Sequence, residues 1–147
     1  MTSPAAVFKI DNSLFKIPRA IVMPTTPKVY HASDSLEFET PERCAILEVA
    51  NSAQDPAVSI ARARVEPGVT TAWHRLHGTA ERYLVVEGEG LVEVGANLRE
   101  KVAAGDVVAI PPDTAQRITN TGDEPLLFYA ICTPRFEPGC YEALDSA

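Results

Sequence analysis

The residue types that could do chemistry are concentrated between Gly68 and Gly88, in the stretch GVTTAWHRLHGTAERYLVVEG. This stretch places His74, His77 and Glu81 between two glycines. Histidine and carboxylate side chains that converge inside a barrel commonly hold a first-row metal ion. A second stretch, GDVVAIPPDTAQRITN at residues 105–120, has the pattern of a partner segment. We predict that the two stretches together form a pocket with metal-ligand chemistry.

The segments around these residues have the pattern of short β-strands. CAILEVA, RYLVVEG and PLLFYAIC are apolar runs of strand length, and turn signals such as NSAQDP and GDE separate them. In AVSIARARVE (57–66), Arg62 and Arg64 fall on one face and Ala61 and Ala63 on the other. About eight or more such segments recur at spacings of roughly 8–12 residues, without the pattern of a long helix. This predicts an all-β antiparallel sandwich or barrel.

Length and composition fit a single globular domain. The chain has 147 residues, of which 46% are hydrophobic, which suffices for one sizeable core. We expect an N-terminal arm with edge strands over residues 1–43, a barrel over 44–134 and a tail over 135–147. Prolines at 18, 24 and 27 break any longer helix in the arm. We therefore expect an extended arm that packs across the body or onto a second subunit, and a tail with room for one helical turn.

The charge and cysteine content exclude several classes of partner and compartment. The net charge of −7 argues against a nucleic-acid or anionic-membrane partner, because phosphate binding needs a basic face. No apolar run approaches the roughly 20 residues of a membrane helix. The three cysteines, Cys44, Cys132 and Cys140, form no CxxC motif, and the N-terminus has no signal-peptide pattern. These features predict a reduced, cytoplasmic protein with free thiols.

Both stretches resemble the two sequence motifs of the cupin superfamily. In the first, five residues separate Gly68 from His74, and six residues separate Glu81 from Gly88. In the second, five residues separate Gly105 from Pro111, and Asn120 closes the motif. The resemblance extends over about residues 57–133. It implies an all-β, single-domain cupin β-barrel (a double-stranded β-helix, jelly-roll-like) with a pocket inside, and a homodimer in which N-terminal strands are exchanged or shared.

This chain departs from the motifs at positions that usually carry metal ligands. Leu76 stands where the first motif has its second histidine, and Gln116 stands where the second motif has its histidine. Carried over residue by residue, the resemblance leaves His74 and Glu81, to which Gln116 can add an amide oxygen, a weaker and harder ligand than imidazole. It therefore implies a divalent metal ion on His74, Glu81 and Gln116, with Zn, Ni, Mn or Fe as candidates.

His77 is an alternative ligand. It lies four residues before Glu81, the spacing that the second histidine has in the shorter form of the motif, and Arg75 would then take the place of the first histidine. Strand alternation puts His74 and His77 on opposite faces. Both can converge only if the chain bulges near Gly78. Otherwise His77 is a loop histidine outside the pocket.

The predicted ligands and their neighbours have other possible roles. His74 could be a hydrogen-bonded pocket histidine without a metal. A buried carboxylate requires a metal or a cationic partner, so Glu81 could pair with an arginine, the candidates being Arg62, Arg64, Arg75 and Arg82. We assign Arg62, Arg64, Trp73, Tyr83 and Phe128 to the pocket for a small polar organic ligand. The aromatic residues could instead belong to the core. The cysteines are expected to be packing residues, Cys132 lying nearest the site.

Three functions fit these residues. The first is a metal-dependent cupin that acts on or binds a small organic acid or a sugar-derived molecule. Lewis-acid or isomerase-type chemistry ranks above oxygenation there, because a redox iron site usually has more imidazole. The second is a non-catalytic binding or sensing module that has lost tight metal binding. In it an arginine and the pocket residues would grip a carboxylate or sugar directly. The third is a storage or structural role, as in seed proteins of the same fold. The fold alone selects none of them.

Overall fold

The computed structural model describes residues 24 and 26–145. The strands in this part of the chain are β1 (Phe38–Glu39), β2 (Ala45–Ser52), β3 (Asp55–Val65), β4 (His74–Leu76), β5 (Ala80–Glu87), β6 (Glu89–Val94), β7 (Leu98–Ala103), β8 (Val107–Ile110), β9 (Gln116–Asn120), β10 (Leu126–Thr133) and β11 (Tyr141–Ala143). The helical segments in the described ranges are two single 3-10 turns, Ala32–Asp34 and Pro138–Cys140. The all-β prediction is confirmed.

The strands form two antiparallel sheets. One sheet has six strands in the order β1-β2-β3-β10-β5-β8, and the other has five in the order β11-β4-β9-β6-β7. The two motif stretches are divided between the sheets, because the first supplies β4 and β5 and the second supplies β8 and β9. Each motif therefore contributes one strand to each sheet. Side chains from both motifs can consequently meet in the space between them.

The hydrophobic core fills that space. Val65 and Leu126 from the six-stranded sheet and Val92 and Ile118 from the five-stranded sheet are almost completely buried. They alternate along their strands with less buried residues, as expected for strands with one face inward. Burial of each such side chain stabilises the fold by about 1.5–3 kcal/mol. The packed core thus fixes the inward positions on which a site can be built.

The glycines that frame the motifs are required by backbone conformation. Gly88, between β5 and β6, has φ +82°, and a Cβ there would lie 2.9 Å from the carbonyl oxygen of Pro125. Gly105, between β7 and β8, has φ +97°. Side chains rarely adopt these conformations, so glycine is the residue that allows both turns. The framework glycines are therefore signals of the fold rather than of the chemistry.

The two ends of the chain differ in how far they can be described. Of the arm and edge strands expected over residues 1–43, residues 1–23 and 25 lie outside the described residues. In the C-terminal tail, the single helical turn expected from the sequence occurs at Pro138–Cys140. β11 follows it and pairs with β4, so part of the tail belongs to the five-stranded sheet. None of the helices in the described ranges has the length and hydropathy needed to cross a membrane.

Candidate functional site

His74 lies on the short strand β4 with its side chain turned into the protein, where only 4% of the residue is exposed. Its ring nitrogen Nδ1 is 2.9 Å from the carbonyl oxygen of Ala72, which fixes the orientation of the imidazole. Donation of the Nδ1 proton to this carbonyl leaves Nε2 with a free lone pair. Gln116, the first residue of β9, is the cross-strand partner of His74. Histidine and glutamine therefore occupy adjacent inward positions.

Glu81 faces the same interior from the opposite sheet. Its carboxylate oxygen Oε2 accepts a hydrogen bond of 2.6 Å from the side-chain amide of Gln116. On the neighbouring strand Cys132 is paired with Glu81, and its thiol lies 3.8 Å from Oε1. Burial raises the pKa of Glu81, while His74 and the Gln116 hydrogen bond act in the opposite direction. The structure thus brings His74, Glu81 and Gln116 together in the interior.

No arginine in the described part of the chain contacts Glu81. Arg75 forms a two-point ion pair with Glu142, at 2.7 and 3.1 Å, and Arg82 is exposed and donates to the hydroxyl of Thr133. Glu81 therefore forms no ion pair with an arginine in the described part of the chain, although such a pair was one of the alternatives from the sequence. Glu81 is a buried carboxyl group whose polar contacts are an amide and a thiol.

Arg62 and Arg64, which the sequence analysis assigned to the pocket, lie elsewhere. Both point to the outer face of the six-stranded sheet, where they bind the carboxylate of Glu37 at 3.3 and 2.7 Å. The inward face of β3 carries the small side chains of Ala61 and Ala63 instead. The alternation along β3 was predicted, but the assignment of the arginine face to the pocket differs from the structure. On the outer face Glu37 pairs with both guanidinium groups, whereas burial on the inward face would desolvate these charges, so the small residues face inward.

His77 lies outside the interior, on the exposed side of the turn after β4. Gly78 has φ +64° and reverses the chain immediately after it. The two ring nitrogens of His77 lie 3.1 Å from Asp113 and 2.5 Å from Glu142. The two histidines do not face the same space, which is the arrangement expected from strand alternation without a bulge. His77 instead ties the turn after β4 to the C-terminal segment.

The aromatic residues assigned to the pocket occupy two environments. Tyr83 and Phe128 are buried and pack against each other, with ring centroids 4.3 Å apart. Burial raises the pKa of the Tyr83 phenol well above its usual range. Trp73 is half-buried, and the guanidinium of Arg117 lies 4.5 Å from its ring centre. Tyr83 and Phe128 thus belong to the core that supports the site. Trp73 lies beside Arg117 on the outward face of the five-stranded sheet, so its assignment to the pocket differs from the structure.

Two residues beside His74 were not found by sequence reasoning. Tyr141 on β11 stacks on the imidazole with centroids 5.3 Å apart and an interplanar angle of 24°. Glu42, from the loop before β2, places its Oε2 3.8 Å from Nδ1 of His74. Both come from outside the two motifs and reach His74 only through the tertiary fold. The one signal in the sequence was the polarity of TPER at 40–43, which also fits an ordinary turn.

The donor set fits a divalent metal ion with mixed ligands. Oε1 of Gln116 is buried and has no hydrogen-bond partner in the described structure. A carboxylate, an amide oxygen and an imidazole whose second nitrogen binds a backbone carbonyl are all known metal ligands. Within residues 24 and 26–145, no group of three or more His, Cys, Asp or Glu side chains has the geometry of a metal cluster. A metal site here would therefore depend on the glutamine amide.

Sequence comparison relates the chain to one family over its central part. A family model described as a cupin domain matches residues 61–132, which include both motifs. An uncharacterized protein of Methanocaldococcus jannaschii is 33% identical over 87 residues, covering 59% of this chain and 69% of that protein. The segment matched by the family model contains His74, Glu81 and Gln116, whereas Glu42 and Tyr141 lie outside it.

Solved structures share the same barrel at lower sequence identity. The nucleoside dehydratase Pac13 of Streptomyces aligns with a TM-score of 0.69 and 18% identity, covering 81% of this chain and 92% of that one. The formate complex of Lactobacillus farciminis oxalate decarboxylase aligns with a TM-score of 0.67 and 26% identity. This alignment covers 78% of the present chain but only 35% of the decarboxylase. Both neighbours are enzymes, and they carry out different reactions on a common fold.

Proposed function

Since this chain belongs to the cupin superfamily, we propose that its barrel interior binds a divalent metal ion through His74, Glu81 and Gln116, together with a small polar organic molecule. The fold has enzymes among its structural neighbours, including a dehydratase and a decarboxylase. The metal, the ligand and the reaction are the parts that we propose here. They are supported by the arrangement of these three side chains rather than by the fold alone.

One observation carries the proposal, namely the unpaired amide oxygen of Gln116. It is buried beside Glu81, which is itself a buried carboxyl group without a cationic partner in the described residues. A buried polar atom without a partner costs about 1–3 kcal/mol, and an uncompensated buried charge costs more. A divalent cation near these oxygens would remove both costs at once. The free Nε2 of His74 would supply the third donor.

The surrounding residues would control how such an ion is held. The carbonyl of Ala72 orients His74, and the amide of Gln116 orients Glu81. An ion with only three protein ligands keeps open positions, at which it can polarise a carbonyl or lower the pKa of a bound water. With a single imidazole among the donors, the site fits Lewis-acid chemistry better than redox chemistry. Isomerase, lyase or hydrolase-like reactions are therefore the classes that we place first.

The test is the metal content of the protein purified without added metal and again after soaking with Zn²⁺, Mn²⁺, Ni²⁺ and Fe²⁺. We expect near-stoichiometric metal in the wild-type protein and its loss in His74→Ala and Glu81→Ala. His77→Ala is the matched control, because this histidine lies outside the interior and should leave the metal content unchanged. A wild-type protein that takes up none of the four metals after soaking would refute the metal site.

A second candidate function is supported by a different contact. The amide of Gln116 already donates to Glu81 at 2.6 Å, which satisfies one carboxylate oxygen without a metal. Leu76 also occupies the inward position that the usual second histidine would take. On this alternative the protein is a binding or sensing module, in which His74, Glu81 and Gln116 hold the organic ligand directly. Ligand binding by metal-free protein, unchanged after soaking with metal, would favour it.

A further inference from the structure

We propose that Glu42 contacts the ligand of this site and makes it select uncharged molecules with hydroxyl groups over organic acids. The inference rests on the proposed function in one respect, namely that the ligand lies beside His74 and Glu81. It does not depend on whether a metal is bound. Glu42 precedes the segment that matches the family, so the family motifs do not assign it a role.

The loop that carries Glu42 is held in a defined conformation. Its next residue, Arg43, has φ +66°, an uncommon and strained value for a residue other than glycine. The hydroxyl and the backbone amide of Thr40 both donate to the carbonyl of Cys44, which closes the turn. The backbone amide of Ala72 donates to the carbonyl of Glu42, 3.0 Å away. These contacts fix the loop against the strand that leads to His74, so the position of the Glu42 side chain is determined by the fold.

The carboxylate of Glu42 lies beside His74 and is partly open to solvent. Its Oε2 lies 3.8 Å from Nδ1 of the imidazole, and 26% of its side chain is exposed. Burial together with the charge of Glu42 raises the pKa of Tyr141 to about 12, and Glu42 also contributes to the raised pKa of Glu81. Among the hydrogen bonds within residues 24 and 26–145, none reaches this carboxylate. Its acceptor capacity is therefore available to a ligand.

The described basic side chains are occupied elsewhere. Arg43 itself turns away and binds the carbonyl of Thr70 and the carboxylate of Asp145. The other arginines that lie in ion pairs are directed to carboxylates outside the interior, namely Arg62, Arg64, Arg75, Arg99, Arg117 and Arg135. The site thus contains two carboxyl groups and no described lysine or arginine contacts either of them.

This charge distribution discriminates between classes of ligand. A ligand carboxylate would approach the negative charge of Glu42 in a partly desolvated space, which is unfavourable. A hydroxyl group would instead donate a charge-assisted hydrogen bond to Glu42. Repulsion of one class combined with attraction of the other is a common basis of specificity. A bound divalent ion would offset part of the negative charge, so the contribution of Glu42 is measured by removing its charge alone.

The test compares matched neutral and acidic probes, namely glycerol with glycerate, xylose with xylonate, and glucose with glucuronate. Binding is measured by ligand-observed NMR and calorimetry on wild-type protein, Glu42→Gln and Glu42→Asp, with metal content determined on the same samples. Glu39→Gln is the control, because this exposed residue lies outside the site. We expect the wild-type protein to bind the neutral member of at least one pair about tenfold more tightly than the acid, a difference of about 1.4 kcal/mol.

The variants separate the charge of Glu42 from its structural role. In Glu42→Gln the preference should shrink by roughly tenfold, whereas Glu42→Asp, which keeps the charge, and Glu39→Gln should retain it. Tighter binding of the acids by the wild-type protein, an unchanged preference in Glu42→Gln, or no binding of any probe would each overturn the proposal. If metal-free protein retains the preference for neutral probes, the role of Glu42 is supported even if the protein binds no metal. Stoichiometric metal binding together with an unchanged ligand preference in Glu42→Gln would refute this inference but not the proposed metal site.

Discussion

The side-chain amide of Gln116 donates a 2.6 Å hydrogen bond to the carboxylate of Glu81, which links the two motifs across the interior of the barrel. Gln116 lies on β9 of the five-stranded sheet and Glu81 on β5 of the six-stranded sheet, so this contact bridges the two sheets. Both residues are buried. The contact therefore has a structural consequence in addition to any role in metal binding.

The first prediction concerns the loss of this contact. Gln116→Leu keeps a similar volume but removes the donor to Glu81, which then lies buried without it. Loss of the donor to buried Glu81 costs about 1–3 kcal/mol, but the substitution also removes the unpaired Oε1 and so recovers part of that cost. The free energy of unfolding should therefore fall by about 1 kcal/mol. Urea denaturation of metal-free protein measures it. Thr121→Ala, an exposed substitution just beyond β9, should change stability by no more than about 0.5 kcal/mol. A Gln116→Leu variant that is more stable than wild type would show that the hydrogen bond to Glu81 contributes less than the burial of Oε1 costs.

The second prediction concerns pH. Burial raises the pKa of Glu81 in the folded protein, with His74 and Gln116 opposing it. The folded state then holds the proton more tightly than the unfolded chain, in which the pKa is about 4.3. This contribution to stability is fully present below that pKa and is lost as the pH rises through the raised folded pKa.

Denaturant unfolding of metal-free wild type should therefore show decreasing stability as the pH rises above about 4.3. In Glu81→Gln the decline should be shallower, by up to about 1.4 kcal/mol per pH unit for the one proton removed. Part of the decline in stability should remain in this variant, because burial also raises the pKa of Glu42. A variant with the same pH dependence as wild type would mean that Glu81 is not desolvated in solution.

The third prediction concerns the addition of a second histidine as a metal ligand. Leu76 lies on β4, two residues after His74 and buried like it. Leu76→His would place a second imidazole beside the first, since residues two apart on a strand share a face. We expect the variant to bind metal more tightly than the wild-type protein, and to be about 1–3 kcal/mol less stable without metal, because a polar ring is buried. Metal retention in competition with a chelator and thermal unfolding with and without metal measure both effects. An unchanged metal affinity would indicate that β4 does not present this position to the site.

The fourth prediction concerns His77, whose imidazole bridges Asp113 and Glu142. His77→Ala removes these contacts but retains the backbone hydrogen bond from residue 77 to Cys140. Exposed ion pairs contribute at most about 1 kcal/mol, so the amides of Tyr141–Ala143 should exchange up to about fivefold faster while those of the core remain unchanged. Hydrogen-exchange mass spectrometry measures this. Arg99→Gln, on the distant strand β7, is the control. Exchange that rises throughout the barrel would instead indicate a global role for His77.

The fold and the inner residues of the site were accessible from the sequence because they depend on local rules. Gly88 and Gly105 mark turns with positive φ, and alternation places His74 inward and His77 outward. Alternation could not reveal which face of β3 lies inward. That choice depends on the cost of desolvating the charges and on their pairing with Glu37 on the outer face, and it favoured Ala61 and Ala63 over the arginines.

Glu42 and Tyr141 could not be found from the sequence for a different reason. Each reaches His74 from a segment distant in the chain, one through the turn at Arg43 and the other through the pairing of β11 with β4. Neither segment has a periodic pattern, and their contacts exist only after the barrel has formed. Non-local contacts of this kind leave no spacing that a motif can capture.

The turn at residues 40–44 gives this barrel a part that can change independently. Its hydrogen bonds are mostly made to backbone atoms, so its shape places few demands on the side chains of the strands. Related chains could thus exchange the residue at position 42 while keeping the same barrel and the same inner donors. A comparison of the barrels alone would then group proteins that prefer uncharged molecules with proteins that prefer acids, and this short turn would be the better guide to what each of them binds.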